Sequence, residues 1–502
     1  MRQRSALDRA IEAVSPRWAA KREHARLVLG KLHRVSAEYD GATQGRRSTS
    51  WRRKVRDANA ELSPRTMMAL RGISHDLVRN NPHASSGVAA HAEHIVGEGI
   101  TFQLYRDGKH DPVLTAKVRA HLDGADCDAA GRHDLYGLQL QAAKAIVTGG
   151  AIVMRRRWRR ASDRLPLPFQ LQLLEADYID MGKHGPLADG GYIINGIEFD
   201  QLGRRRGYWL YSNHPGSIRP GSSTSKFVPA SDVAHVFRAD RPEQEHGVPW
   251  LAPVILRMKD FADYEDAQGL RQKIAACFAA FRFGDPDSAE ALANDNDEDD
   301  DSAELESIEP GMIYDMPGDG KIEFANPPTV DGYKDYSSVS LHAISAGLGV
   351  PYEIMTGDLS GVSFISGRLG RLNFYRKNAT HQWLMFIPQF CGAVQRWTFD
   401  ALDMMGEDLK GVTMRWTPPR VPMLDPASEV PAIRDAIRSG QMTPSEAVRE
   451  RGHDPDTFFT EWAEDAQRFD ALGLTFDSDP RKVTAVGNAV SLDKHTEQRD
   501  AK

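Results

Sequence analysis

Along the chain, hydrophobic positions switch between a helical period near 3.6 and a strand period of two, and the switches mark its blocks. Leu70, Ile73, Leu77 and Val78 share one helical face, with Ser63-Pro64 as N-cap and first helical position and Asn80-Asn81-Pro82 as the stop. A second helix is predicted over 84–96, and Gly97-Glu98-Gly99 turns it into an alternating strand over 100–105. After the polar stretch 125–131, the pattern predicts a helix over 135–148 and strands over 151–155, 169–174, 191–195, 206–211 and 232–238, joined by turns rich in Gly, Pro and Asp. Residues 60–245 therefore predict an α+β domain.

The run 251–283 differs. It has no proline after Pro253 and one glycine, Gly269, and places Ile255, Met258, Phe261, Ala262, Leu270, Ile274, Cys277, Phe278 and Phe281 at spacings near three and four. One helix of roughly 45 to 50 Å is predicted, too long for its own domain and in need of neighbours. Residues 290–309 then carry ten carboxylates and no Lys or Arg, a block expected to stay solvated. Short strand-like pieces follow over 308–324, and a helix over 331–349, with Tyr336, Val339, Ile344 and Leu348, closes a hairpin. Gly357, Gly361, Gly367 and Gly370 predict a loop over 357–367 flanked by helices. A long helical stretch over 371–405 is interrupted near Pro388, a proline-rich joint covers 416–426, and helices over 427–439 and 443–451 form a smaller domain.

Composition narrows the class. The 502 residues, 41% hydrophobic and 26% charged, suit a soluble chain of two or more domains, and no eighteen apolar residues run together. A net charge of −7 excludes a uniformly basic nucleic-acid coat while leaving local basic stripes. Residues 2–54 read as a loosely ordered basic arm with no signal-peptide core, and residues beyond Ser478 as a polar tail. Cys127, Cys277 and Cys391 lie far apart, supporting neither a disulfide framework nor a cysteine-rich zinc site, and a reducing cytoplasm fits.

Each candidate chemistry has a plainer counterpart. The acidic run 295–301 offers ligands for a hard cation but lacks the spacing and glycine of a calcium loop, so a solvated insertion is the better reading. The clusters Arg155 to Arg160, with Trp158, and Arg204 to Arg206 suit phosphates; solvated strand edges or subunit contacts also explain them. His235 and His246 stand near Asp232, Asp240 and Glu243, yet without metal-motif spacing, and a packed histidine is the commoner outcome at His235. Neither a phosphate loop nor a Gly-x-Ser-x-Gly elbow is present, so no cofactor is expected and the inventory is unlike an enzyme's.

Taken in order, several short motifs form a recognisable series. Arg71-Gly-Ile-Ser-His-Asp76 through Pro82, Val96-Gly-Glu-Gly-Ile100, Leu174-Glu-Ala-Asp177, Gly196-Ile-Glu-Phe-Asp200, Ala234-His-Val-Phe237, Arg241 through Pro249, Pro351-Tyr-Glu353 and Thr356-Gly-Asp358 closely resemble the lambda-type family of phage portal proteins over roughly residues 50–460. The family usually has arginine where His75 and His246 stand. It also has a Tyr-Ser-Ser-x-Arg run where this chain reads Phe364-Ile-Ser-Gly-Arg368, leaving a more apolar tip with Val362, Phe364 and Ile365 and less electrostatic grip on phosphates.

The resemblance implies an α+β portal fold with an α+β wing, long stem helices, a small α/β clip and a helical crown, assembled as a ring of usually twelve copies. It assigns 1–56 to the arm, 57–250 to the wing, 251–283 to a stem helix, 284–330 to the clip with its acidic loop, and 331–356 to the second stem helix. A tunnel loop at 357–367, a long wing and tunnel helix at 368–419, a crown at 420–478 and a tail at 479–502 follow. Implied partners are other copies, double-stranded DNA without sequence preference, the terminase large subunit, major capsid and scaffold proteins and a head-completion or tail connector protein, with no membrane. The implied setting is a virion vertex, with assembly in host cytoplasm. Expected DNA-facing residues are Arg257, Lys259, Asp263, Arg271, Lys273, Gly357, Asp358, Ser363, Phe364, Ser366 and Arg368. Expected clip contacts are Ile308, Met312, Tyr314, Asp319 and Lys321. A Mg²⁺-dependent nucleic-acid-processing enzyme and a non-phage helical scaffold are the competing readings.

Overall fold

A computed structural model of the protein describes residues 18, 56–218, 224–276, 280–284, 313–317, 322–324, 332–423, 425–453 and 455–474. The arm apart from Trp18 and Arg56, the acidic run 295–301 and the tail lie outside the described residues. The chain divides into two units, 1–57 and 58–502, and the second is described here.

After a single helical turn at Ala58–Glu61, the second unit continues with α1 (Pro64–Asn80) and α2 (Pro82–Val96). Each is capped as its sequence predicts: the Ser63 side chain accepts from the Thr66 amide, and that of Asn81 from the Ala84 amide. Strands β1 (Thr101–Arg106) and β2 (Lys109–His110) precede α3 (Pro112–Leu122), whose Asp111-Pro112 start is a cap signal that the hydrophobic pattern overlooks. Helix α4 (Leu135–Gly149) leads into β3 (Ala151–Trp158) and β4 (Phe169–Glu175). A five-stranded antiparallel sheet then runs β5 (Gly185–Pro186), β6 (Tyr192–Ile194), β7 (Ile197–Phe199), β8 (Arg205–Tyr211) and β9 (Ser225–Pro229), before β10 (Val233–Phe237) joins β3 in the order β10-β3-β4.

Helix α5 (Ile255–Ala276) is shorter than the periodicity predicts. A turn occupies 251–254, and beyond Ala276 the backbone enters β11 (Ala280–Gly284), which pairs in parallel with β12 (Ile313–Pro317) and antiparallel with β13 (Ile322–Phe324). Phe281 and Phe283 stand two apart, the strand period, but Phe278 and Phe281 also satisfy a helical period, and pairing with segments 30 or more residues away decided the matter.

Helix α6 (Tyr333–Leu348) returns along α5: Tyr264 and Tyr336 rings lie 4.2 Å apart, and a Cβ on Gly347 would meet Val254 at 2.4 Å. The predicted hairpin is therefore present and antiparallel. After α7 (Tyr352–Thr356), α8 (Phe364–His381) continues through a π-helical segment, Gln382–Cys391, into α9 (Gly392–Met404). Pro388 lies in that segment, so the predicted interruption takes the form of a widened turn that tolerates the missing amide. Strand β14 (Val412–Thr417), hidden in the sequence beside the proline joint, pairs with β1 and sets Phe102 opposite Trp416. Helices α10 (Pro426–Arg438), α11 (Pro444–Glu450) and α12 (Pro455–Leu472) complete the described chain.

One core runs from α2 and α4 through Trp250, Met258 and Phe261 to Phe386, Phe390 and Trp397; a second lies under the five-stranded sheet. Glutamine side chains serve as substitute backbone. Gln389 exchanges two hydrogen bonds with Phe237 at 2.9 and 3.1 Å, covering the edge of β10, and Gln139 does the same for Ile100 at 2.7 and 3.0 Å.

The arginine clusters are not at edges as expected. Strand β3 is central, and Arg156 is buried between Asp232 (2.7 Å) and Asp400 (2.5 Å), with its guanidinium over Trp158 at 4.3 Å. Strand β8 is likewise internal; Arg205 pairs with Glu245 at 2.5 Å, and Arg206 with Asp189. A distant carboxylate pair turns the buried Arg156 into an internal tie, whereas Arg205 and Arg206 stay exposed, as the solvated reading expects, and pair at the surface.

At the end of α4, Gly150 adopts φ 87° against Gly247. A Cβ on Gly150 would stand 2.5 Å from the Gly247 carbonyl oxygen, and one on Gly247 would stand 2.0 Å from that of Gly150. Both obstacles are backbone. Gly247→Ala is expected to lower the unfolding free energy by about 3 kcal/mol or more, whereas Gly269→Ala, in a helix with open space around it, should raise it by up to about 1 kcal/mol. Chemical denaturation of both variants checks the contrast, and equal midpoints would contradict it.

His235 and His246 pack with rings 5.4 Å apart, as the plainer reading of His235 expects. Burial pulls His246 down to about 3, His121 and His381 down to about 4, and His235 well below its ordinary value. Unfolded, these imidazoles protonate near 6.5; folded, His246 does so only near 3 and His121 and His381 near 4, and His235 is lowered in the same direction. Within that window the unfolded state holds more protons, so stability should fall as pH drops from 6.5 towards 4. Urea midpoints measured at pH 7.5 and 5 are expected to differ in that direction, and a flat profile would refute the assignment.

Candidate channel surface

Helix α5 leaves the wing under tight control. The Trp250 amide donates to the Val147 carbonyl at 3.0 Å, and Ile255, Met258 and Phe261 are buried. From Ala262 to Lys273 no residue is fully buried, although α6 packs alongside and His83 of α2 lies near its start. Arg257, Lys259, Asp263 and Lys273 are exposed, and Arg271 is half-buried. At about 100° per residue, Lys259, Asp263 and Lys273 share one face while Arg257 and Arg271 lie on another. Spacing therefore does not aim all five at one lumen. Lys259 pairs with Asp263 at 3.1 Å, an exposed contact of small energetic weight.

The glycine-rich segment shows where the expected loop ends. Gly357 closes α7 at φ 73°, and the non-helical stretch is 357–363; Phe364, Ser366 and Gly367 already belong to the first turn of α8. The reason is a capping box the glycines obscured. The Ser363 side chain accepts from the Ser366 amide at 3.2 Å, and the Ser366 hydroxyl accepts from the Ser363 amide at 3.0 Å.

Arg368 pairs with Glu429 of α10 at 3.3 Å, so it is partly committed within the chain. The Asp358 carboxylate accepts from the Ser360 amide at 2.9 Å and from the Tyr352 hydroxyl at 3.2 Å, and these bonds, those from Ser360 foremost, hold its carboxyl below the usual range. Tyr352 lies flat on His342 with centroids 4.0 Å apart. Beside the loop, a cavity of about 750 Å³ collects Lys334, His342, Tyr352, Asp358, Asn373 and Lys377. It brings Asp358 together with cations that the sequence did not associate with it.

Among the clip residues, Tyr314 lies on β12, while Ile308, Met312, Asp319 and Lys321 lie outside the described residues. Glu175, Asp177 and His214 converge within metal-ligand reach. Their atoms are used internally: His214 Nδ1 accepts from the Gly216 amide at 3.0 Å, which leaves the proton on Nε2 facing Glu175 at 3.2 Å, and Asp177 pairs with Arg71 at 3.2 Å.

An antiparallel two-helix rod springs from an α+β body, and a capped helix begins beside its base. The family model described as phage portal protein, lambda family, matches residues 44–382, and the chain belongs to that family. It is 24% identical over 428 residues to the probable portal protein of Halomonas phage phiHAP-1, covering 79% of this chain and 77% of the relative. It is 21% identical over 382 residues to portal protein B of Escherichia phage lambda, covering 69% of each. The portal protein of Escherichia phage N15 is 22% identical over 385 residues, covering 69% of this chain and 70% of the relative. Among solved structures, a chain from the neck of a native gene transfer agent particle computed with C12 symmetry superposes with TM-score 0.45 and 14% identity, over 78% of this chain and 95% of that one.

Replacing Ser363 with Ala should remove one half of the capping box and cost the start of α8 about 1 kcal/mol. Hydrogen exchange at residues 364–368 should then be about fivefold faster, with α9 unchanged; unaltered exchange would show that the cap does not hold this turn.

Proposed function

We propose that copies of this chain close into a ring forming the portal of a tailed-phage head, with double-stranded DNA passing through its centre during packaging and ejection. The observation that carries the reading is the stem hairpin: over 262–273, α5 buries no residue completely, in a chain that belongs to the portal family. In a cyclic assembly the hairpins of neighbours supply the missing packing and enclose a lumen. Residues 57–250 act as wing, α5 and α6 as stem, β11 to β13 as clip, 357–363 as the loop nearest DNA and α10 to α12 as crown.

Conduction favours this mixture of charges. DNA of any sequence must pass, so phosphate contacts should be weak and base contacts absent; a uniformly basic wall would hold the duplex. Lys259, Asp263 and Lys273 on one face of α5 provide alternating signs, and Asp358, Ser363 and Ser366 provide a polar loop margin. Arg368, tied to Glu429, steadies that margin and is a weaker DNA contact than the sequence alone implies. Energy for translocation comes from a separate terminase, for which the clip, including Tyr314, is the docking end. Capsid, scaffold and tail-connector proteins are the remaining partners, and the ring belongs to the virion vertex.

Mass photometry and negative-stain imaging of the purified full chain test the reading. Twelve subunits of 55.8 kDa give rings of about 670 kDa with an open centre. Only monomers and dimers across a concentration series, or assemblies without a pore, would count against it.

A further inference from the structure

The crown is short of a core of its own. Helix α10 has no fully buried residue, α11 has Ala447 and Val448, and α12 has Ala466 alone. Three helices with so little interior leave apolar side chains uncovered: Trp462 of α12 is 53% exposed, and Phe459 lies on the same side.

Helix α8 has the complementary problem. Ile365, Leu369 and Leu372 follow one another at spacings of four and three, and Trp383 continues the line; Leu369 is 64% exposed. The helix has a charge signature as well, with Arg376 standing within the stripe. The sequence of α8 contains Arg368, Arg371, Arg376 and Lys377 and no carboxylate, whereas that of α12 contains five carboxylates and one arginine. Both helices have 18 residues, about 27 Å of rod each, so either could cover the other along its whole length.

We propose that α12 of a second copy lies on the exposed stripe of α8, so that the crown of one subunit docks on the tunnel-side helix of its neighbour. Trp462 and Phe459 cover the leucines, and Asp465, about 60° from Trp462 around α12, meets Arg376, which stands within the stripe of α8. The pairing rests on the ring assembly proposed above and names one of its interfaces. Within one chain, Glu429 already reaches Arg368 at 3.3 Å, so a crown carboxylate on this helix has a precedent. Donor and acceptor faces belong to different elements, which is what a head-to-tail ring contact requires.

The test is charge reversal on the full chain, with assembly followed by mass photometry and folding by circular dichroism. Arg376→Glu, or Asp465→Lys, should raise the concentration needed for ring formation by about tenfold or more, and combining the two should recover most of that loss. If wild-type rings form and either reversal leaves assembly unchanged, or if the combination is worse than each reversal alone, this contact is wrong and the ring reading stands. Rings that persist with weakened binding of a 30-base-pair duplex by the arginine variant would place the stripe against DNA and overturn the contact. Failure of the wild-type chain to form rings at all would remove the ring reading, and this contact with it.

Discussion

The close approach of two backbones at Gly150 and Gly247 is the constraint on which the architecture rests. It fixes where α4 ends, and within three residues it delivers Trp250 to the Val147 carbonyl and so sets the take-off of α5. Arg71 holds the junction from the other side, donating from Nε to the Gly149 carbonyl at 3.2 Å and pairing with Asp177. His235 and His246 fill the adjoining space as neutral rings. A stem of about 33 Å amplifies any error in its starting angle, so a crossing with no room for a methyl group is a physical means of fixing its direction.

From that junction the wing is fastened to the helices that follow by polar groups in apolar surroundings. Gln389 completes the edge of β10, Arg156 joins β3 to Asp232 and to Asp400 of α9, and the Trp397 indole donates to the Ser231 carbonyl at 2.6 Å. Removing one partner of such a buried set exposes the others to the cost of desolvation, which makes the arrangement specific even where its net stabilisation is small. The π-helical segment around Pro388 belongs to the same arrangement. A wider turn there keeps Phe386, Phe390 and Gln389 directed at the wing despite the proline.

The stem and crown follow a different physical logic. Their faces carry side chains that a single chain leaves half-covered, and their charges are mixed, with in-chain pairs such as exposed Lys259 with Asp263 and half-buried Arg368 with Glu429. Such faces suit the ring proposed above, in which neighbouring copies supply the missing packing.

The sequence by itself determined the elements governed by local physics. Ser63-Pro64 capped its helix where predicted, Asn80-Asn81-Pro82 marked the stop before the next helix, several strands followed their alternating runs, and the hairpin of α5 and α6 was visible as two apolar periodicities around an acidic insertion. The ordered motifs also carried the family. Tertiary structure alone decided what depends on distant partners. It turned the arginine runs into ion pairs with Asp232, Asp400, Glu245 and Asp189, made 412–417 a strand by offering it β1, and drew 280–284 out of the predicted helix into a sheet. At the loop, local capping by Ser363 and Ser366 outweighed the glycines, so residues expected at a flexible tip begin a helix. Periodicity and caps act within a few residues and can be read from sequence. Pairing of charges, edges and strands is settled by groups brought together across tens to hundreds of residues, and only the folded chain supplies them.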